Sequence, residues 1–188
     1  MFFDHALAES RLREWGEALE NASLPGWEEL PDLPLYMDQV ILLLEQYLPR
    51  DPAAERGITA SIVNNYVRMK VMPAPVKKKY TRIHLAYLVM ICVLKQSLSI
   101  ACIQKLLPPD ASPEQIRVLY TDFTARYREL ARYFAGQLRE GTAPLFHPAE
   151  DTANPVGNLA VGAALMANFA QGLADQLVLL QSAPEEKE

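Results

Sequence analysis

Apolar residues recur at helical spacing along most of the chain, and only residues 72–82 leave room for strands. Residues 4–21 combine an apolar stripe with a charged face, and Pro25-Gly26 ends that pattern. Residues 36–48 are apolar on most sides, which predicts a buried helix. Three further short helical patterns each follow a residue that can cap a helix: Thr59, Thr81 and Ser99. The pattern predicts an all-α protein.

Two long helices are predicted to follow. The run Ser112-Pro113-Glu114-Gln115 combines a capping serine, a proline suited to the first turn and a glutamine that can close a capping box. This helix should run to about Glu140, and the last helix from Asn154-Pro155 to about Gln181. Apolar residues of the first long helix alternate by four and three positions, as in a coiled-coil seam: Ile116, Tyr120, Phe123, Tyr127, Leu130 and Phe134. The seam predicts packing either in the chain's own core or against a second chain.

Prolines and composition divide the chain into three predicted regions. Residues 1–35 hold the first helix and a proline-containing connector, in which Trp27 is expected to anchor irregular chain onto the core. Residues 36–109 form a helical head. Residues 110–188 hold the two long helices and an acidic tail that is expected to be disordered.

Charge is distributed very unevenly over these regions. The span from Arg56 to Pro109 contains no Asp or Glu but holds nine of the 18 Lys and Arg residues. The net charge of −5 therefore hides one strongly basic segment in an otherwise acidic chain. This separation is typical of a module that binds a polyanion.

The basic segment offers two groups of side chains suited to DNA. Asn64, Asn65 and Arg68 lie within a turn and a half of one helix, and Asn and Arg match the major-groove edges of adenine and guanine. These three are predicted to contact bases. Five basic residues are predicted to contact phosphates: Lys70, Lys77, Lys78, Lys79 and Arg82.

The order of elements resembles the winged helix-turn-helix head of MerR-type transcription regulators. Gly57-Ile58-Thr59 resembles that family's tight turn before the recognition helix, and Val71-Met72-Pro73 its apolar pair before proline. Tyr80-Thr81 resembles the end of the wing, while Lys70 stands where the family usually has glycine. The resemblance implies a recognition helix at 60–71, a short β-wing at 72–82 and a homodimer that binds double-stranded DNA.

A wider pattern resembles an uncharacterised bacterial family, domain of unknown function 1836. It consists of YMDQVILLLEQYL, ITASIVNNYV and PVKKKYTRIHLAYL, within residues 30–140. This second resemblance implies a fold and says little about activity. Together the two resemblances imply a helix-turn-helix head with a possible short β-wing, followed by two long helices, and a transcriptional regulator of MerR-like type.

The remaining chemistry of the sequence is sparse. No Gly-rich phosphate loop, nucleophile elbow or paired-carboxylate motif is present, so neither an enzyme nor a cofactor is predicted. The three histidines lie far apart in sequence, and no metal site is predicted. Cys92 and Cys102 lie on apolar helical faces, which predicts reduced core thiols.

Location and partners follow from the same observations. The first 25 residues contain acids, and the longest apolar run, Leu85 to Leu94, is too short to span a bilayer. A cytoplasmic protein without a membrane partner is therefore predicted, and nothing in the pattern specifies a small-molecule effector. The main alternative is a protein-interaction module on a degenerate helix-turn-helix, and a weaker one is docking of the basic loop on anionic lipid.

Overall fold

The computed structural model of the protein describes residues 5–48, 57–140 and 155–181. These ranges contain α-helices and no strand, which confirms the predicted all-α class with two long helices last. The helices are α1 (His5–Glu20), α2 (Met37–Tyr47), α3 (Ala60–Arg68), α4 (Arg82–Leu94), α5 (Ile100–Leu106), α6 (Pro113–Glu140) and α7 (Pro155–Gln181), with a 3-10 turn at Trp27–Glu29. The acidic tail predicted to be disordered lies outside the described residues.

Capping side chains fix where several helices begin. The Ser112 hydroxyl accepts the amide hydrogen of Gln115 at 3.3 Å, and the Gln115 side chain accepts that of Ser112 at 2.8 Å. This reciprocal pair is the predicted capping box, and it satisfies amide donors that the first helical turn leaves unpaired. Thr59 and Ser99 likewise accept amide hydrogens at the starts of α3 and α5.

The chain divides into two compact units. We call Leu24–Thr124 together with the chain from Leu173 the core unit, and Met1–Ser23 together with Ala125–Gly172 the second unit. In the core unit, α4 is buried continuously from His84 to Ile91 and packs on α2. Because α4 is apolar on all sides, burial around its whole circumference is its stable arrangement.

The connector before α2 is anchored on this core as expected. The Trp27 ring meets that of Tyr120 edge to face, with centroids 6.1 Å apart. The Tyr120 hydroxyl donates to the carbonyl oxygen of Pro25 at 2.8 Å. The irregular chain before α2 is therefore fastened to α6 by one aromatic contact and one hydrogen bond.

The predicted seam of α6 has two different environments. Ile116 and Tyr120 are fully buried in the core unit, and Phe123 is half-buried there. In the second unit Tyr127 is half-buried, whereas Leu130 and Phe134 are exposed. The first half of the seam is thus occupied by the chain's own core and offers no free face to a second chain.

Candidate nucleic-acid interface

Helix α3 presents the predicted base-contacting side chains on its outer face. Val63 and Tyr66 point into the core, which leaves Asn64 and Arg68 exposed and Asn65 half-buried. The described residues Ser61, Ile62, Asn64, Asn65 and Arg68 line an open depression of about 600 Å³. The fold therefore brings all three predicted residues together on one surface.

Two of these side chains are held by each other. Arg68 donates from Nη2 to the Asn65 side-chain oxygen at 2.6 Å, one helical turn away. The Asn65 amide nitrogen in turn approaches the Met69 sulfur at 3.4 Å. The pair is arranged before any ligand binds, and the guanidinium keeps further donors for a partner.

The end of α3 differs from the prediction that the helix reaches residue 71. The amide of Val71 donates to the Tyr66 carbonyl, and that of Lys70 donates to the Val67 carbonyl, each at 3.0 Å. These two bonds form a Schellman motif, which requires a left-handed residue, and Lys70 adopts a φ of 55°. The helix ends at Arg68, because a non-glycine residue closes the motif in the place where glycine is usual.

The predicted wing is a tight turn without strands. The Lys79 amide donates to the Val76 carbonyl at 3.0 Å, and between them Lys77 and Lys78 have φ values of 50° and 63°. Two consecutive positive φ angles define a type I′ turn, for which Asn-Gly is the usual sequence. Tyr80 then forms an isolated bridge with Leu35 through two 2.8 Å backbone hydrogen bonds. The wing thus has hairpin geometry, but its pairing is limited to single residues.

Lysine occupies all the positions with strained backbone in the described part of the chain. The non-glycine residues with positive φ there are Lys70, Lys77 and Lys78. A left-handed conformation costs a residue with a Cβ roughly 1–2 kcal/mol. Glycine would relieve that strain at each of the three positions, but it would also remove the charge.

His84 fastens the base of the hairpin to α4. Its Nδ1 accepts the Thr81 amide hydrogen at 3.0 Å, so the ring proton lies on Nε2 and is donated to the Ala74 carbonyl at 3.3 Å. The Tyr80 ring packs against the imidazole edge to face, with centroids 5.6 Å apart. Burial lowers the pKa of His84, and the hydrogen bond to Ala74 only partly opposes that effect. The neutral form therefore connects both ends of the turn to the core.

Arg82 has a different environment from the other predicted phosphate contacts. Its side chain is only 17% exposed, and it donates to the Leu30 carbonyl and to Glu28, both at 3.0 Å. Asp32 lies 3.9 Å away, and the guanidinium is over the Trp27 ring. These contacts tie the connector to the start of α4, whereas Lys70, Lys77, Lys78 and Lys79 are all exposed.

One exposed aromatic beside the turn has no counterpart in the sequence prediction. The Lys79 ammonium lies 5.5 Å from the centre of the Tyr36 ring, and Tyr36 is 55% exposed. The two residues are far apart in sequence, and they meet because the Leu35–Tyr80 bridge aligns their segments. No sequence signal could have found this pair, since the proximity depends on tertiary pairing.

Other chemistry is scarce in the described ranges. Burial raises the pKa of the Cys92 thiol to about 12, which leaves it protonated and unreactive. Cys102 is also a free thiol and donates to Asp175 of α7 at 3.3 Å. The described residues contain no group of three His, Cys, Asp or Glu placed to hold a metal ion. Among them, too, no helix has the length and apolarity that crossing a membrane requires.

Comparison with known proteins gives one family. The model described as Domain of unknown function (DUF1836) matches residues 25–123, more than half of the 188 residues. Neither the curated proteins nor the solved structures yield a match. The matched range coincides within one residue at each end with the first segment of the core unit, Leu24–Thr124.

Proposed function

This chain belongs to the DUF1836 family, and we propose that it binds double-stranded DNA through α3 and the lysine turn that follows it. In this proposal Asn64, Asn65 and Arg68 read base edges, and Lys70, Lys77, Lys78 and Lys79 hold phosphates. We propose a transcription regulator of MerR-like type, in which α3 would serve as the recognition helix and the turn would take the place of the wing. We leave Arg82 out of the interface, because its donors are engaged by Glu28 and Leu30.

The strained lysines are the observation that carries this proposal. Strain at a backbone position is retained where the side chain serves a function that a relaxed residue could not supply. At Lys70, Lys77 and Lys78 the property that glycine lacks is the charge. Three exposed cations at such positions, in a segment without acidic residues, favour binding to a phosphate backbone.

The distance between the end of α3 and the lysine turn suits binding of both to one nucleic acid. Lys77 follows Lys70 by seven positions, so their Cα atoms lie at most about 25 Å apart. Val71 and Met72, which begin this connection, are buried, and Gln104 of α5 donates to the carbonyl of Met69. The end of α3 and the connector are thus anchored on the core, which favours a preformed surface over one that orders on binding.

The polar character of α3 supports base readout. Asn makes paired hydrogen bonds with adenine and Arg with guanine, each worth about 1–3 kcal/mol of discrimination. Ile62 lies in the same depression and is 38% exposed, which suits contact with a thymine methyl group.

The deciding experiment replaces Lys77-Lys78 by Asn-Gly. This sequence favours the type I′ turn, so we expect the free energy of unfolding to rise by about 1 kcal/mol. Affinity for duplex DNA should fall at the same time. With four lysines on phosphates, log affinity should decrease with log salt at a slope of about −3.6, and the variant should flatten this slope by about two units.

A matched control removes two charges elsewhere. Arg126→Gln with Arg128→Gln changes the net charge equally at exposed positions of α6. This control should leave the salt slope unchanged. If both variants lost DNA affinity equally, the loss would depend only on net charge, and the proposed interface would be wrong.

Specificity is tested separately on α3. Asn65→Ala or Arg68→Ala should weaken binding to a selected site by about 1–3 kcal/mol and affect random DNA much less. Equal losses on both kinds of DNA would show that α3 does not read bases.

A protein partner is the second candidate, and one observation favours it. Val76 and Met69 are exposed apolar residues in or beside the same basic elements, at 69% and 41%. An acidic protein with an apolar patch could contact both the lysines and these two apolar side chains. This hypothesis would be supported instead if the protein did not bind DNA at low salt and Val76→Ser weakened its binding to an acidic protein.

A further inference from the structure

Few side chains are buried in the part of the second unit that the structure describes. Among its described side chains, only those of Ala131 and Ala135 are buried. The large apolar side chains described as exposed there range from 48% to 69%, from Phe134 to Phe169. Helices are stabilised mainly by packing of an apolar face, so these helices require a further surface.

Helix α7 shows this requirement most clearly. From Ala160 to Gly172 every residue except Gly162 is exposed. Four of these are large and apolar: Val161, Leu165, Met166 and Phe169. A helix that is apolar on most sides is normally buried, so this segment is uncovered in the isolated chain.

The covering surface must be uncharged. No ionisable side chain occurs between Thr152 and Ala174, so this part of α7 cannot pair with a charged partner. A helix that lies on anionic lipid carries Lys or Arg along its polar face, and residues 155–181 contain none. An apolar, uncharged helical face fits best, and α7 of a second copy is such a face.

The exposed area matches the size of a stable interface. Half of a large side chain amounts to about 100 Å² of surface. On α6, Leu130, Tyr133 and Phe134 are exposed to a similar degree as the α7 residues, and so is Trp15 on α1. Together these side chains offer about 800 Å² per chain, which is what one partner of a standard interface buries.

We propose that the second unit is the dimerisation surface of this protein, formed by α7 against α7 of a second copy around a twofold axis. Exposed small residues, including Ala160, Ala163, Ala164 and Ala167, let two helix axes approach to about 8 Å. The proposal does not rest on DNA binding. If both hold, the dimer presents two α3 helices to a DNA site with twofold symmetry.

The test is the mass of the full chain by sedimentation equilibrium over a dilution series. One chain has a mass of 21.1 kDa, and we expect twice that mass at micromolar concentration. Phe169→Glu and Leu165→Glu should each raise the dissociation constant at least 100-fold, because each buries a charge in an apolar interface. Phe169→Leu should retain the dimer.

Val118→Glu is the matched control. Val118 is an exposed apolar residue of α6 in the core unit, at 52%, and the variant should dimerise like the wild type. Circular dichroism checks that each variant keeps its helical content. A wild-type mass of one chain at all concentrations overturns the proposal, whether or not the chain sediments with phosphatidylcholine vesicles. An unchanged dimer in both glutamate variants overturns it as well.

Discussion

Large apolar side chains have opposite environments in the two compact units. In the core unit, α4 is surrounded by protein, and large side chains such as Tyr87 and Leu88 are fully buried. In the second unit, side chains of the same kinds, such as Leu130 and Tyr133, are exposed. The matched family range falls within the core unit, and the second unit lies entirely outside it.

The difference teaches that apolar content does not by itself decide where a core forms. In the core unit the apolar helix α4 is buried from His84 to Ile91 and packs on α2. Among the described residues of the second unit, large apolar side chains such as Leu130 and Phe169 are exposed. A complete core can present a strained, charged surface such as the lysine turn, since the stability needed to hold strain comes from elsewhere in the fold.

The largest expected effect tests this contrast directly. Leu88→Ala in α4 should lower the free energy of unfolding by about 2–5 kcal/mol, because it removes buried methyl groups and leaves a cavity. Leu130→Ala in α6, at an exposed position, should lower it by less than about 1 kcal/mol in dilute protein. Urea unfolding of both variants measures the two values. Equal decreases in the free energy of unfolding for the two variants would contradict the distinction between the units.

A smaller effect is expected within the core unit. There, exposed lysines such as Lys79 can be compared with Arg82, which links the connector to the start of α4. Arg82→Ala should destabilise the protein by about 1–3 kcal/mol, because it leaves the Leu30 carbonyl without its donor. Lys79→Ala should leave stability nearly unchanged but flatten the salt dependence of DNA binding by about one unit. An Arg82 variant that keeps its stability and loses DNA affinity would place Arg82 back among the phosphate contacts.

The smallest effect concerns pH and the attachment of the turn. The folded pKa of His84 lies below its usual value of 6.5, so the unfolded chain binds more protons as pH falls through that value. Stability from neutral His84 should therefore be fully present above about pH 6.5 and decline towards the lower folded pKa. His84→Gln should remove part of this dependence, measured by urea unfolding between pH 5 and 7.5. An identical pH profile in the variant would show that His84 is not the titrating group.

Much of the helical layout was predictable because it depends on local chemistry. The predicted start of α6 at Pro113 and its end at Glu140 are confirmed, since capping by Ser112 and Gln115 acts over a few residues. The end of α3 was predicted three residues too late. The hydrophobic pattern continues to Val71, but the chain leaves the helix at a left-handed lysine that the pattern does not reveal.

The candidate interface was predictable in part for the same reason. Asn64, Asn65 and Arg68 share a face because helical spacing alone brings them together, and Lys77, Lys78 and Lys79 adjoin one another in sequence. The role of Arg82 was not predictable, because its partners Glu28 and Leu30 lie more than 50 residues away. Nor was the contact of Lys79 with Tyr36, which depends on the Leu35–Tyr80 bridge.

The sequence by itself determined the helices, their caps and the segregation of basic charge, because each of these depends on residues within a few positions of one another. Only the tertiary structure decided which half of the α6 stripe is buried, since burial depends on what distant elements supply. The same holds for the cations: the sequence made the segment basic, and long-range contacts decided that Arg82 lies inside while Lys77 and Lys78 point into solvent.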